Sequence, residues 1–344
     1  MSSNKSSRCY YLDLAKVIAT FLVILGHMYS AGSPVRLYLY GFHMPFFFLV
    51  SGVFHQYMGK INWSQYAIRL LWPALIFIVL SITIDVVFRG ERLSDQLRCY
   101  FIDIPMGNIR VVFWFFFALF WCKVYLDFFC GFKNKVIPLI LWGILLFVPV
   151  ILLKTRLPFG LSHGMMAFPF YAIGYWGRGT LSRQTASFKW GIPFICSLLL
   201  TMTITKYIHG RVSMMDVSFG RLPETLFGGS FKSLSTAFRA FLRIANIALF
   251  YLNGLIGSSM ILSFSLLPFP RVRFVSSLSK TLITVVGLQY IFIHFITDWI
   301  GENHHIFVSI GLSSLVFLLC FLVHHILQPV FDLAQPGRLG ADLK

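Results

Sequence analysis

The chain has 344 residues, of which 57% are hydrophobic, 17% aromatic and only 12% charged. Soluble domains carry about 25% charged residues, so this composition excludes a water-soluble globular protein and points to a chain solvated by lipid. The formal net charge of +17 falls mainly in the segments between apolar runs, where it meets anionic headgroups. Nucleic acid is therefore not an expected partner.

Continuous apolar stretches of about 20 residues predict an all-α polytopic membrane bundle, and their continuity excludes the alternating strands of a barrel. Ten spans are expected, over residues 11–30, 37–58, 66–87, 110–130, 136–153, 161–178, 190–207, 240–266, 274–298 and 306–328. Turn and charge signals separate them, among them Gly32-Ser33-Pro34, Gly59-Lys60, Arg89-Gly90-Glu91-Arg92 and Lys133-Asn134-Lys135. The longest pieces outside the spans are 88–109 and 208–239, and the second, rich in Gly, Ser and Arg, is expected to face substrate. No repeat and no soluble domain interrupts the series, so residues 1–344 read as one domain.

The polar start, Met1 to Arg8, precedes the first run, and His27-Met28-Tyr29 offers no small-residue cleavage site, so that run is expected to stay as a helix. With the N-terminus inside, Lys and Arg in the connecting segments number 12 inside and 11 outside; the tight connections favour a cytoplasmic N-terminus. Cys9, Cys99, Cys122, Cys130, Cys196 and Cys320 have no metal spacing and read as small packing residues.

Ionisable groups in hydrocarbon cost a few kcal/mol each, yet the first two predicted spans keep Asp13, Lys16, His27 and His43. Lys16 and His27 are 11 residues apart. At 100° per residue they lie on one helix face, about 16 Å apart along the axis. Asp13 can pair with Lys16 one turn away. The layout suits a long ligand with its charged part near Lys16 and its reactive end near His27; it equally fits a snorkelling lysine and a histidine packed at a helix end. A short hairpin brings His43 to the His27 end, and His is the natural general base near neutral pH. Met44-Pro45 follows His43 directly, where a proline near a helix start is cheap.

Arg69, in Arg69-Leu70-Leu71-Trp72-Pro73, starts the third span on the Lys16 side, placed for phosphate or for lipid headgroups. Lys123 and Asp127, four apart, read as a structural pair, and Trp114-Phe115-Phe116-Phe117 as helix packing or an interfacial belt. Asn246, Asn253, Gln289, His294, His324 and His325 are further polar residues in or near apolar runs, with interhelical hydrogen bonding as their default. The chain carries no P-loop, no GxSxG elbow and no HExxH pair.

These segments, taken in order, resemble the acyltransferase-3 family of integral-membrane O-acyltransferases. The resemblance rests on Tyr11-Leu12-Asp13-Leu14-Ala15-Lys16 running to Gly26-His27, on Phe42-His43-Met44-Pro45-Phe46-Phe47-Phe48-Leu49-Val50-Ser51-Gly52, and on Arg69-Leu70-Leu71-Trp72-Pro73. Weaker matches are Trp114-Phe115, Phe168-Pro169-Phe170-Tyr171-Ala172-Ile173-Gly174-Tyr175 and Ser279-Lys280-Thr281. Many members carry Arg where Lys16 stands, and shorter relatives tend to carry His near Gln289.

The resemblance implies a single transmembrane domain of about ten helices in a bacterial inner membrane. It implies an acyl-CoA donor, usually acetyl-CoA, and a glycan or lipid-linked saccharide as acceptor. On that basis His27, His43 and Asp13 are expected in catalysis and Lys16 and Arg69 in holding the donor. Two other classes remain open: a glycan-lipid transporter or flippase, and a non-catalytic subunit of a polysaccharide assembly complex.

Overall fold

The computed structural model describes residues 9–30, 32–103, 113–146, 157–207, 236–302 and 304–333. Most of the expected substrate-facing loop at 208–239, the second half of the expected span 136–153 and the side chain of Asn246 lie outside the described residues.

The described residues form helices and no strand. In chain order these are α1 (Tyr10–His27), α2 (Pro34–Tyr40), α3 (His43–Val53), α4 (Trp63–Tyr66), α5 (Trp72–Arg89), α6 (Leu93–Arg98), α7 (Trp114–Gly131), α8 (Val136–Leu146), α9 (Leu161–Ser182), α10 (Gly191–Tyr207), α11 (Thr236–Ser265), α12 (Arg273–Leu278), α13 (Leu282–Ile300) and α14 (Ile306–Leu333). A π-helical turn, Ala67–Leu71, joins α4 to α5.

Among the described residues seven stretches are long and apolar enough to cross a bilayer: Tyr10–His27, Trp63–Arg89, Trp114–Gly131, Phe188–Lys206, Ile247–Ser265, Leu282–Ile300 and Ile306–Phe331. Their outward faces carry large apolar side chains such as Phe88, Ile192, Leu199, Trp299, Phe307 and Ile326. A surface of this kind is stable only against lipid, and the protein is a multi-pass helical membrane protein.

Of the three expected spans not among these seven, 136–153 runs beyond the described residues, and the other two differ for reasons visible in the backbone. The predicted span 37–58 is two helices, broken where Phe42 leaves helical geometry at φ −142°. The carbonyl of Leu39 there takes the Phe42 N–H at 3.3 Å. The 11 residues of α3 rise only about 16 Å, half a hydrocarbon core. Such a break is tolerated at membrane depth where protein covers it, and Phe42 is fully buried. Meanwhile α9 has the length to span, but His163, four glycines, Pro169 and Arg178 lower its apolarity. It is an inner helix, clasped between α3 and α7.

Helix α1 is central, packing against α2, α3, α11, α12, α13 and α14. The tightest seam lies between α3 and α9. A Cβ on Gly52 would stand 1.9 Å from the Tyr171 carbonyl oxygen, and one on Gly174 would stand 1.8 Å from that of Leu49. Each glycine thus admits the other helix's backbone, as small residues do in lipid. The Trp114 to Phe116 run is core packing: Phe115 sits 5.3 Å from Phe48 and 6.0 Å from Phe47, ring centre to ring centre.

Candidate active site

The bundle has two polar ends. At the first, His27 closes α1 and Tyr40 closes α2. The hairpin between them puts the Tyr40 hydroxyl 2.8 Å from His27 Nδ1 and 3.3 Å from Nε2. The Tyr40 ring also meets His43 edge-on at 4.8 Å. One tyrosine therefore joins the two histidines expected to share an end.

His43 is buried, and its Nδ1 lies 2.6 Å from the Leu39 carbonyl oxygen. A carbonyl only accepts, so Nδ1 carries the proton and neutral His43 keeps a lone pair on Nε2. Arg36 donates to the Tyr29 carbonyl at 2.8 Å and stacks its guanidinium over Tyr40, 4.9 Å from the ring centre. On α13, Tyr290 and His294 pack ring to ring at 4.1 Å, and with Ser81, Asp85 and Arg89 they border a water-sized cavity of about 10 Å³.

Lys16 lies at the other end of α1. Its Nζ is 2.9 Å from Asp13 Oδ1, as the i,i+3 spacing predicts, and 4.7 Å above the centre of the Phe54 ring. Asp13 is buried while Lys16 keeps partial exposure. Arg69 is exposed on the π-helical turn, and its charge reaches Tyr66 and Lys123. Among the described residues no contact joins it to Lys16.

A third polar group was not expected. Next to Phe54, His55 is buried, with Nε2 2.9 Å from Asp127 Oδ1 and Nδ1 2.8 Å from the Tyr171 hydroxyl. Tyr66 donates to Asp127 Oδ2 at 2.7 Å, and Arg178 donates to the His55 carbonyl at 3.1 Å. Asp127 thus takes His55 and Tyr66 rather than the expected Lys123, whose Nζ instead lies over the Tyr66 ring at 5.2 Å. Each oxygen of this buried carboxylate receives a donor, which is the condition for keeping it there.

Of the remaining polar residues, His324 meets Thr284 at 2.7 Å, an interhelical bond between α14 and α13. Gln289 is completely buried, and neither end of its amide has a hydrogen-bond partner among the described residues.

Sequence reasoning missed Tyr40, Arg36 and His55. Tyr40 falls 13 residues after His27 and belongs to the site only through the hairpin. His55 was marked by an imidazole directly after the apolar run that ends α3, a signal that carried no partner with it.

Comparison with known proteins gives one family. The family model described as an acyltransferase domain, that of acyltransferase-3, matches residues 10–325. No curated protein and no solved structure matches the chain. The match takes in α1 and both histidines at one end, Lys16 at the other, and every helix as far as His325 on α14. The chain belongs to the acyltransferase-3 family and is a membrane-embedded acyltransferase.

Proposed function

We propose that this acyltransferase moves an acetyl group from acetyl-CoA to a sugar hydroxyl of a surface or lipid-linked glycan, acting as one domain in a bacterial inner membrane. The observation that supports the chemistry is the Tyr40 link between His27 and His43, on a helix whose other end holds Lys16 about 16 Å away. A long donor with an anionic head and a distal thioester fits that separation.

His27 is the general base. With Nδ1–H donated to the Tyr40 oxygen, Nε2 keeps its lone pair and takes the hydroxyl proton as the sugar oxygen attacks the thioester carbonyl. The tetrahedral oxyanion then collapses, the C–S bond breaks, and the proton on His27 goes to the departing CoA sulfur. Neutral His43 has spent its proton on Leu39, so a backbone amide is the better donor to the oxyanion. His43 Nε2 serves as a second acceptor beside the reacting hydroxyl. Lys16, held by Asp13, and Arg69 meet the phosphates of the donor at the other end. Water kept out by the bundle spares the thioester.

Two measurements bear on this reading. Surface glycan from a strain lacking the protein, compared with wild type by mass spectrometry and NMR, should lose acetyl groups while polymer and export persist. Loss of export or of polymer with acetylation intact would point to the transporter or assembly reading. Tyr40→Phe should lower the transfer rate up to about tenfold, the worth of one neutral hydrogen bond, with the donor KM unchanged. A raised KM with an unaltered kcat would put Tyr40 in donor binding instead.

A further inference from the structure

At the Lys16 end a cleft of about 350 Å³ opens between two loops, lined by Tyr57, Gly59, Lys60 and Ile61 on one side and by Asp127, Phe128, Gly131, Phe132 and Lys133 on the other. That volume lies at the lower end of small-ligand sites. Both loops have the same make-up, a glycine followed closely by an exposed lysine, with aromatic residues beside them. Gly59 has φ +81°, which brings Lys60 round a turn that other residues resist. A Cβ on Gly131 would lie 3.6 Å from the Tyr57 hydroxyl, inside the mouth.

The lysines nearby divide by what they already do. Lys135 Nζ donates to the carbonyls of Phe129, Cys130 and Phe132 at 3.1, 2.9 and 2.5 Å, closing the C-terminal end of α7. Lys123 lies over Tyr66. Lys60 and Lys133 have no acidic partner among the described residues. The wall behind them is fixed: Asp127 is locked by His55 and Tyr66 with its carboxylate fully covered, so the buried negative charge does not confront a ligand in the cleft. Tyr57 is three residues from Phe54, on whose ring Lys16 rests.

We propose that this cleft takes the phosphorylated nucleoside end of the acyl donor, with the base against Phe128, Phe132 and Tyr57 and the ribose phosphate on Lys60 and Lys133, while the diphosphate stays with Lys16 and Arg69. The proposal rests on the CoA-dependent reading above and sharpens it. The head of the donor sits in a site built by the α3–α4 and α7–α8 loops, and its arm passes Lys16 on the way along α1 to His27. An aromatic-walled slot between two cations suits a flat base carrying phosphate. An anionic lipid headgroup offers the phosphate alone.

The test is calorimetric titration of the full chain in nanodiscs of zwitterionic lipid, with CoA and adenosine 3′,5′-bisphosphate as probes. The bisphosphate should bind and compete with CoA. The double variant Lys60→Gln with Lys133→Gln should weaken both probes at least tenfold at an unchanged thermal midpoint, whereas Lys189→Gln, an exposed lysine outside the cleft, should weaken neither. Repeating the titration in discs of anionic lipid should leave CoA binding within a few-fold; its disappearance would give the lysines to headgroups and overturn the proposal. CoA bound equally well by the double variant overturns the cleft and leaves the proposed function standing. A wild-type protein that binds no CoA overturns both.

Discussion

His27→Ala is expected to abolish acyl transfer, with a fall in rate of about 10² to 10⁴-fold, while the protein remains in the membrane in normal amount. The proposed acceptor, a sugar hydroxyl, is a weak nucleophile, and a placed base contributes a factor of that order. His27 is the terminal residue of α1 and packs edge-on against Tyr40. Truncating it removes a ring at a helix end and not from the centre of the core, so folding should survive. Membranes holding equal amounts of wild type and variant, assayed for transfer from radiolabelled acetyl-CoA to glycan, give the comparison directly. A variant that transfers at the normal rate removes His27 from the mechanism.

The second large effect is on stability. Gly52→Ala or Gly174→Ala should prevent the native packing of α3 on α9. Overfilled cores usually cost about 1–3 kcal/mol because side chains shift aside. Here the new methyl meets a backbone carbonyl at 1.9 or 1.8 Å, and a helix backbone has no rotamer to change. The whole of α3 must move, and with it the His55, Tyr171 and Asp127 bonds at one end and His43 at the other. The measurable result is little detergent-extractable monomer, with a thermal midpoint well below wild type in whatever remains. Gly179→Ala, on the same helix with nothing within 4 Å of a new Cβ, is the control and should be neutral or better. Normal yield and midpoint for both seam variants would mean that the two helices do not approach so closely.

Much of this was legible in the sequence. The 16 Å separation of Lys16 and His27 on one face needs only the helix repeat, and the Asp13–Lys16 ion pair needs only the i,i+3 rule. The hairpin that unites His27 with His43 followed from the short Gly-Ser-Pro connection. What was not legible depended on places where local rules lose to packing. The run 37–58 is apolar throughout, so hydropathy cannot see that Phe42 breaks it. Helix α9 looked like an ordinary span, yet its glycines make it an inner strut. Asp127 has a lysine at i−4, which the helix rule favours, but His55 lies 72 residues back in sequence and arrives only when α3, α4 and α7 assemble.

The break between α2 and α3 has a chemical result. In an unbroken helix the Leu39 carbonyl would be consumed by the backbone N–H four residues ahead, that of His43 itself. Because the chain turns aside at Phe42, that oxygen takes the Phe42 N–H instead and offers its second lone pair to the His43 ring, so an interruption of secondary structure settles which imidazole nitrogen is basic. A substitution that straightened residues 39 to 43 into one continuous helix would keep both histidines in the chain and still strip His43 of its fixed protonation pattern.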